Sequence, residues 1–193
     1  SVNLATGAVA SGDAAGDTIL GFEGVIGSGS NDTLTGNAGA NAFYGGAGND
    51  TIGDVDNGTL YGGDGDDMLN GELLQYGDAG DDTIWGYSAE IYNTIYGGDG
   101  NDRITEAASG TIYGDAGNDK IDPIIWTGGT VYGGTGDDTI SFGYSWRAGS
   151  HEAEGYGGDG SDIISGTYLD SRYLGVNTDD TLYGGNNDDT VSG

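Results

Sequence analysis

Tyr96-Gly97-Gly98-Asp99-Gly100-Asn101-Asp102-Arg103-Ile104-Thr105 is the stretch on which the fold turns. After its tyrosine it reads as a nine-residue frame, G-G-x-G-x-D-x-U-x, where U is a large apolar residue. The frame starts again at Gly45, Gly62, Gly77, Gly114, Gly133, Gly157 and Gly184. Its sixth position is aspartate throughout: Asp50, Asp67, Asp82, Asp102, Asp119, Asp138, Asp162 and Asp189. Its eighth is apolar throughout: Ile52, Leu69, Ile84, Ile104, Ile121, Ile140, Ile164 and Val191. A tyrosine precedes every frame: Tyr44, Tyr61, Tyr76, Tyr96, Tyr113, Tyr132, Tyr156 and Tyr183.

The glycines allow backbone angles that a Cβ would forbid, so each frame can turn tightly with its carbonyls aimed at one point. A carboxylate at the end of that turn completes a hard, all-oxygen site suited to Ca²⁺. The expected ligands are the position-6 aspartates and the carbonyls of Gly46, Gly48, Gly63, Gly65, Gly80, Gly98, Gly100, Gly117, Gly134, Gly136, Gly158, Gly160 and Gly185. Positions 7 to 9 leave in extended form with only position 8 pointing inward. Two looser frames precede these, Gly12 to Leu20 with Asp17 and Gly27 to Thr35 with Asp32, which brings the expected column to ten aspartates. Ala15, Ser28 and Ser30 replace glycines there, so these first sites are expected to be distorted or empty.

These nonapeptides resemble the repeats-in-toxin (RTX) calcium-binding β-roll family over roughly residues 12 to 193. The resemblance implies an all-β fold, a right-handed parallel β-roll or β-solenoid of about ten coils with two nonapeptides per coil. Between Gly27 and Gly45 lies one more nonapeptide, Gly36 to Tyr44, with Asn41 where aspartate would stand. Past Tyr44 the opposite turn is replaced by inserts of varying length, most ending in a strand-like triplet such as Thr94-Ile95-Tyr96 or Thr111-Ile112-Tyr113. Calcium turns are therefore expected on one side and variable loops on the other. The chain is expected to be one domain, with degenerate coils over 1–44 and regular ones over 45–193.

Composition supports a cation-dependent fold. The chain has 43 Gly, 32 acidic residues against 4 basic ones, and a net charge of −28. Such a balance ordinarily implies disorder, and it argues against nucleic acid as a partner. Carboxylates in one register become ligands once a divalent cation is present. The predicted core is a thin column of two apolar side chains per coil. If each site has a Kd near 10⁻⁴ M and free calcium is near 1 mM, linkage supplies about 1.4 kcal/mol per ion. About eight or nine ions then supply on the order of 10 kcal/mol, the whole stability of a typical domain. Sites of this affinity need extracellular calcium, so the chain is expected to be secreted or displayed on a cell surface. No run of apolar residues is long enough to span a membrane, and there is no cysteine.

Loops on a rigid scaffold are where binding residues concentrate. The partner-binding candidates are Trp126, Tyr144, Trp146, Tyr168 and Tyr173, with carbohydrate as the candidate ligand. The tyrosine column reads as structural, with rings stacked up the outside of a sheet. One histidine, His151, cannot complete a zinc set, and no catalytic constellation is present, so the chain is not expected to be an enzyme. Its role is expected to be structural, as a calcium-binding β-roll that assembles end to end into an extracellular filament or matrix. The alternative is a calcium-triggered secretion or folding module, or a stalk, of a larger exported enzyme or adhesin. The chain opens Ser-Val-Asn-Leu, which fits a piece processed or cut from something longer.

Overall fold

Each apolar eighth position becomes the centre of a short strand, and each tyrosine-ending triplet becomes part of a second one. The computed structural model describes residues 1–10, 15–54, 57–86, 93–105, 110–123, 129–142, 153–166 and 181–192. Among these there is no helix, and the chain is an all-β parallel solenoid. Successive strands alternate between two sheets. One holds eleven strands, running from Ala8–Val9 and Val2–Asn3 through Thr33–Thr35 to Thr190–Ser192. The other holds nine, from Gly24–Ile26 through Asn93–Asp99 to Thr181–Asn186. Among the described residues every pairing between strands is parallel except the opening Val2–Asn3 hairpin with Ala8–Val9.

Register follows the repeat without slippage. Ile84 pairs with Leu69 and Ile104 in the longer sheet, and Tyr96 pairs with Tyr76 and Tyr113 in the shorter one. Period-two alternation then sends one column of each sheet inward. The longer sheet contributes Leu34, Ile52, Leu69, Ile84, Ile104, Ile121, Ile140 and Ile164, all buried. The shorter contributes Phe43, Leu60, Ile95, Ile112 and Val131.

Two rungs break the expected pair of apolar side chains per coil. Gln75 is fully buried in the shorter sheet's column, with its Nε2 donating to the carbonyls of Gly71 (3.1 Å) and Trp85 (3.1 Å). Gly155 leaves a gap that Phe142 fills: a Cβ at 155 would lie 2.8 Å from the phenylalanine ring. A neighbouring side chain thus restores the packing that the repeat omits.

The first looser frame does not become a coil. Its later residues run antiparallel beside the opening hairpin, bridging Ala8 to Thr18, and Ile19 N donates to Gly7 O (2.8 Å). The frames also turn later than expected. Their first three positions still belong to strands, as in Asn93–Asp99 and Gly110–Ala116, and only positions 4 to 6 turn. Among the described residues no helix is long and apolar enough to cross a membrane.

Candidate metal centre

From Gly27 on, the aspartate-bearing frames carry the chain from the shorter sheet to the longer one, so their turns stack along one edge of the solenoid. Along this edge the aspartates are linked rung to rung. Asp32 N donates to Asp50 Oδ1 (2.7 Å), Asp50 N to Asp67 Oδ1 (2.7 Å), and Asp67 N to Asp82 Oδ1 (2.7 Å). Asp82 N donates to Asp102 Oδ1 (2.8 Å), Asp102 N to Asp119 Oδ1 (2.8 Å), and Asp119 N to Asp138 Oδ1 (2.8 Å). Asp138 N donates to Asp162 Oδ1 (2.9 Å), and Asp162 N to Asp189 Oδ1 (3.1 Å). Asp17 does not join this succession. It is exposed beside the opening hairpin, and the column begins at Asp32.

The second carboxylate oxygen behaves differently. Oδ2 of Asp50, Asp67, Asp82, Asp102, Asp119, Asp138 and Asp162 is buried with no hydrogen-bond partner. Each lies beside the first glycine of its own frame and the carbonyl of the first glycine one rung on. A Cβ on Gly97 would collide with Asp102 Oδ2 and lie 2.5 Å from Gly114 O. The first glycine has no positive φ, so it is needed for space, whereas Gly98 (φ 117°) and Gly100 (φ 141°) are needed for their backbone angles. Asp78 and Asp115 at position 2 and Asn187 at position 4 also take positive φ, which short polar side chains tolerate.

A buried carboxylate oxygen with no donor is costly unless a cation meets it. Burial first, then the charges of neighbouring rungs, push these carboxyls up, against the pull of the backbone N–H each one accepts. Asp67 and Asp119 rise to about 6, Asp102 and Asp138 to about 7, and Asp82 to about 8. Asp50 and Asp162 rise for the same reason. Among the described residues no three acidic or His side chains converge on one point, so the donor set is one carboxylate per rung joined to main-chain carbonyls. That is the oxygen-rich chemistry of Ca²⁺ rather than Zn²⁺. The residues present therefore fit a hard divalent cation.

The carbonyl donors divide by position. Among the described residues no turn hydrogen bond ends on the position-4 carbonyls of Gly48, Gly65, Gly80, Gly100, Gly117, Gly136 or Gly160, which leaves them available to a cation. At position 2, Ser28 O accepts from Ala47 N (3.1 Å), so that carbonyl is committed to the sheet. Position 1 was not singled out from the sequence, yet its missing Cβ leaves the room that the Oδ2 of its own frame's aspartate and the carbonyl of the next frame's first glycine lie against. The invariant glycine at position 1 was the available signal.

Asp32 differs from the rungs above it. Its Oδ2 accepts from Ser28 N (2.6 Å) and Ser28 Oγ (2.8 Å). Serine donors occupy the oxygen that is left open elsewhere. Beside the aspartates runs a second ladder built by position 5. Asn101 N donates to Asp81 Oδ1 (2.7 Å), Asn118 N to Asn101 Oδ1 (2.9 Å), and Asp137 N to Asn118 Oδ1 (2.7 Å). Its donors point the opposite way along the rod from those of position 6. On the opposite edge Asn41 is buried, with Oδ1 accepting from Asn37 N (2.8 Å) and Nδ2 donating to Glu23 Oε2 (2.9 Å).

The tyrosines stack as expected, with ring centroids 4.5 to 5.0 Å apart and planes 2 to 13° from parallel. Trp126, Tyr144, Trp146, Tyr168 and Tyr173 lie outside the described residues, as does His151. The RTX calcium-binding nonapeptide repeat matches residues 25–52, 53–73, 76–89, 92–105, 110–122, 129–143, 156–168 and 174–193. No curated protein matches the chain.

Proposed function

The chain belongs to the RTX calcium-binding nonapeptide repeat family, and we propose that it is a secreted structural rod, without catalytic activity, whose coils close when calcium fills the aspartate column. The observation that carries this reading is the row of buried, unpartnered Oδ2 atoms from Asp50 to Asp162. Bound calcium supplies positive charge between rungs that otherwise repel one another. The protein's part is to bury each Oδ2 in the space its frame's first glycine leaves, and to hold each Oδ1 on a backbone N–H so that the carboxylate cannot swing away. With Asp32 sealed by Ser28 and one ion assigned to each open oxygen, this reading expects about seven ions, against the eight or nine expected from the repeat count. The coil is right-handed in this reading, as crossovers between parallel strands are.

A second reading, end-to-end association of rods, is favoured by the open edge strand Gly24–Ile26, on which Ile26 is 79% exposed. Unpaired sheet edges pair with other chains. Calcium titration followed by far-ultraviolet circular dichroism tests the first reading, which expects a cooperative gain of strand signal. Sedimentation of the calcium-loaded chain tests the second, and a monomer at every concentration would exclude it.

A further inference from the structure

The tyrosine ladder does more than cover a sheet. Tyr44, Tyr61, Tyr76, Tyr96, Tyr113, Tyr132, Tyr156 and Tyr183 form one continuous face-to-face stack on the outside of the shorter sheet. Most ring faces are taken by a neighbouring ring, so the surface offered to a partner is mainly edges and hydroxyls. That leaves little face for a sugar ring. What the stack does offer is phenols held in pairs, so that chemistry between two rings needs no diffusion.

We propose that this ladder is an oxidative cross-linking site, at which hydrogen peroxide acting through a haem peroxidase joins tyrosines of adjacent rungs as dityrosine. Each of two neighbouring phenols gives up one electron and one proton. The two phenoxyls join through ring carbons ortho to oxygen, and each displaced ring hydrogen moves to its own oxygen, restoring both hydroxyls. The two electrons and two protons released reduce one peroxide to two waters. The structure sets Glu154 two residues before Tyr156 in the strand Ala153–Asp159, on the same face of the sheet. It also supplies points of entry, since Tyr44 is 44% exposed, Tyr132 36% and Tyr183 53%.

Tyr44 and Tyr61 form the tightest pair, at 4.5 Å and 3°, and one member is accessible, so the first bond forms there. The product is a staple between rungs. It holds neighbouring coils together when the cations are withdrawn, converting a reversible fold into a covalent one.

The test treats the full calcium-loaded chain with peroxide and a haem peroxidase, after circular dichroism has confirmed its strands. The expected result is dityrosine fluorescence from monomer, a mass loss of two hydrogens per bond, and peptide maps joining Tyr44 to Tyr61. Tyr61→Phe removes that link and leaves strand signal and the Tyr156–Tyr183 link intact. The stapled chain also keeps more of its strand signal in chelator than the untreated chain does. Dityrosine found only between chains, or links joining non-adjacent tyrosines of the folded chain, overturns the proposal. So does the absence of dityrosine where free tyrosine in the same mixture is coupled. The proposal rests on the stacked rings, and strand signal that never depended on calcium would sink the calcium reading while leaving this test readable.

Discussion

Replacing Asp102 with asparagine removes charge from the middle of the column and keeps its shape. The Oδ1 that accepts from Asp82 N is retained. The atom that changes is Oδ2, buried without a partner beside Gly97 and the carbonyl of Gly114. Without calcium, an amide there replaces a buried carboxyl already pushed up to about 7 by burial and neighbouring charge. The amide brings no charge into that buried position, which the Asp102 carboxylate does. Removing an unsatisfied buried group recovers about 1–3 kcal/mol, so the metal-free variant is more stable than the parent at a pH above that value. With calcium tenfold above its Kd, loss of one site costs about 1.4 kcal/mol. For urea slopes of 1–3 kcal/mol/M that is a midpoint lower by about 0.5–1.4 M. Urea unfolding of both proteins in calcium reads the second effect, and the pH at which each chelated protein loses its strand signal reads the first. A destabilisation of equal size in both conditions would refute the reasoning, because it would make the carboxylate a packing element rather than a ligand.

The raised carboxyls set a pH dependence opposite to that of an ordinary acidic protein. Asp67, Asp82, Asp102, Asp119 and Asp138 hold protons in the folded, metal-free state up to about 6 to 8, against 3.8 ordinarily. Their contribution is fully present below 3.8 and is lost as pH rises through that window, so chelated protein gains strand signal on acidification and loses it toward pH 8. Gly97→Ala abolishes calcium-induced folding, because its Cβ would occupy the space of Asp102 Oδ2, whereas Gly53→Ala, with nothing within 4 Å, changes the urea midpoint by less than about 0.5 kcal/mol equivalent. Phe142→Ala empties the space over Gly155 and lowers unfolding free energy in calcium by about 3–5 kcal/mol, measured by the same denaturation.

Much of the architecture was legible because the repeat states it in letters. Ile52, Ile84 and Ile104 fall at one position of one frame, and they stack in one buried column. Tyr76, Tyr96 and Tyr113 do the same on the surface. What the letters do not state is which atom of a residue meets which neighbour. Gly97 and Gly98 are the same letter side by side, yet one clears space for a carboxylate and the other supplies a backbone angle. Asn101 and Asn118 build a ladder of their own, visible in the sequence only as a preference for Asn or Asp at position 5. Ser28 was legible as a missing glycine but not as the donor that closes Asp32. Gln75 and Gly155 break the apolar column, and only the packing shows how main-chain carbonyls and Phe142 accommodate them. Asp17 matched its frame, but the hairpin before it turned that segment antiparallel and took it out of the column.

The most direct test is a calcium titration in which bound metal and strand signal are measured on the same sample at neutral pH. The account predicts a chain without strand signal in chelator, a single cooperative gain of strand structure, and about seven ions bound at its end, with magnesium failing to substitute. Full strand signal in chelator at that pH, or folding with no calcium bound, would contradict it.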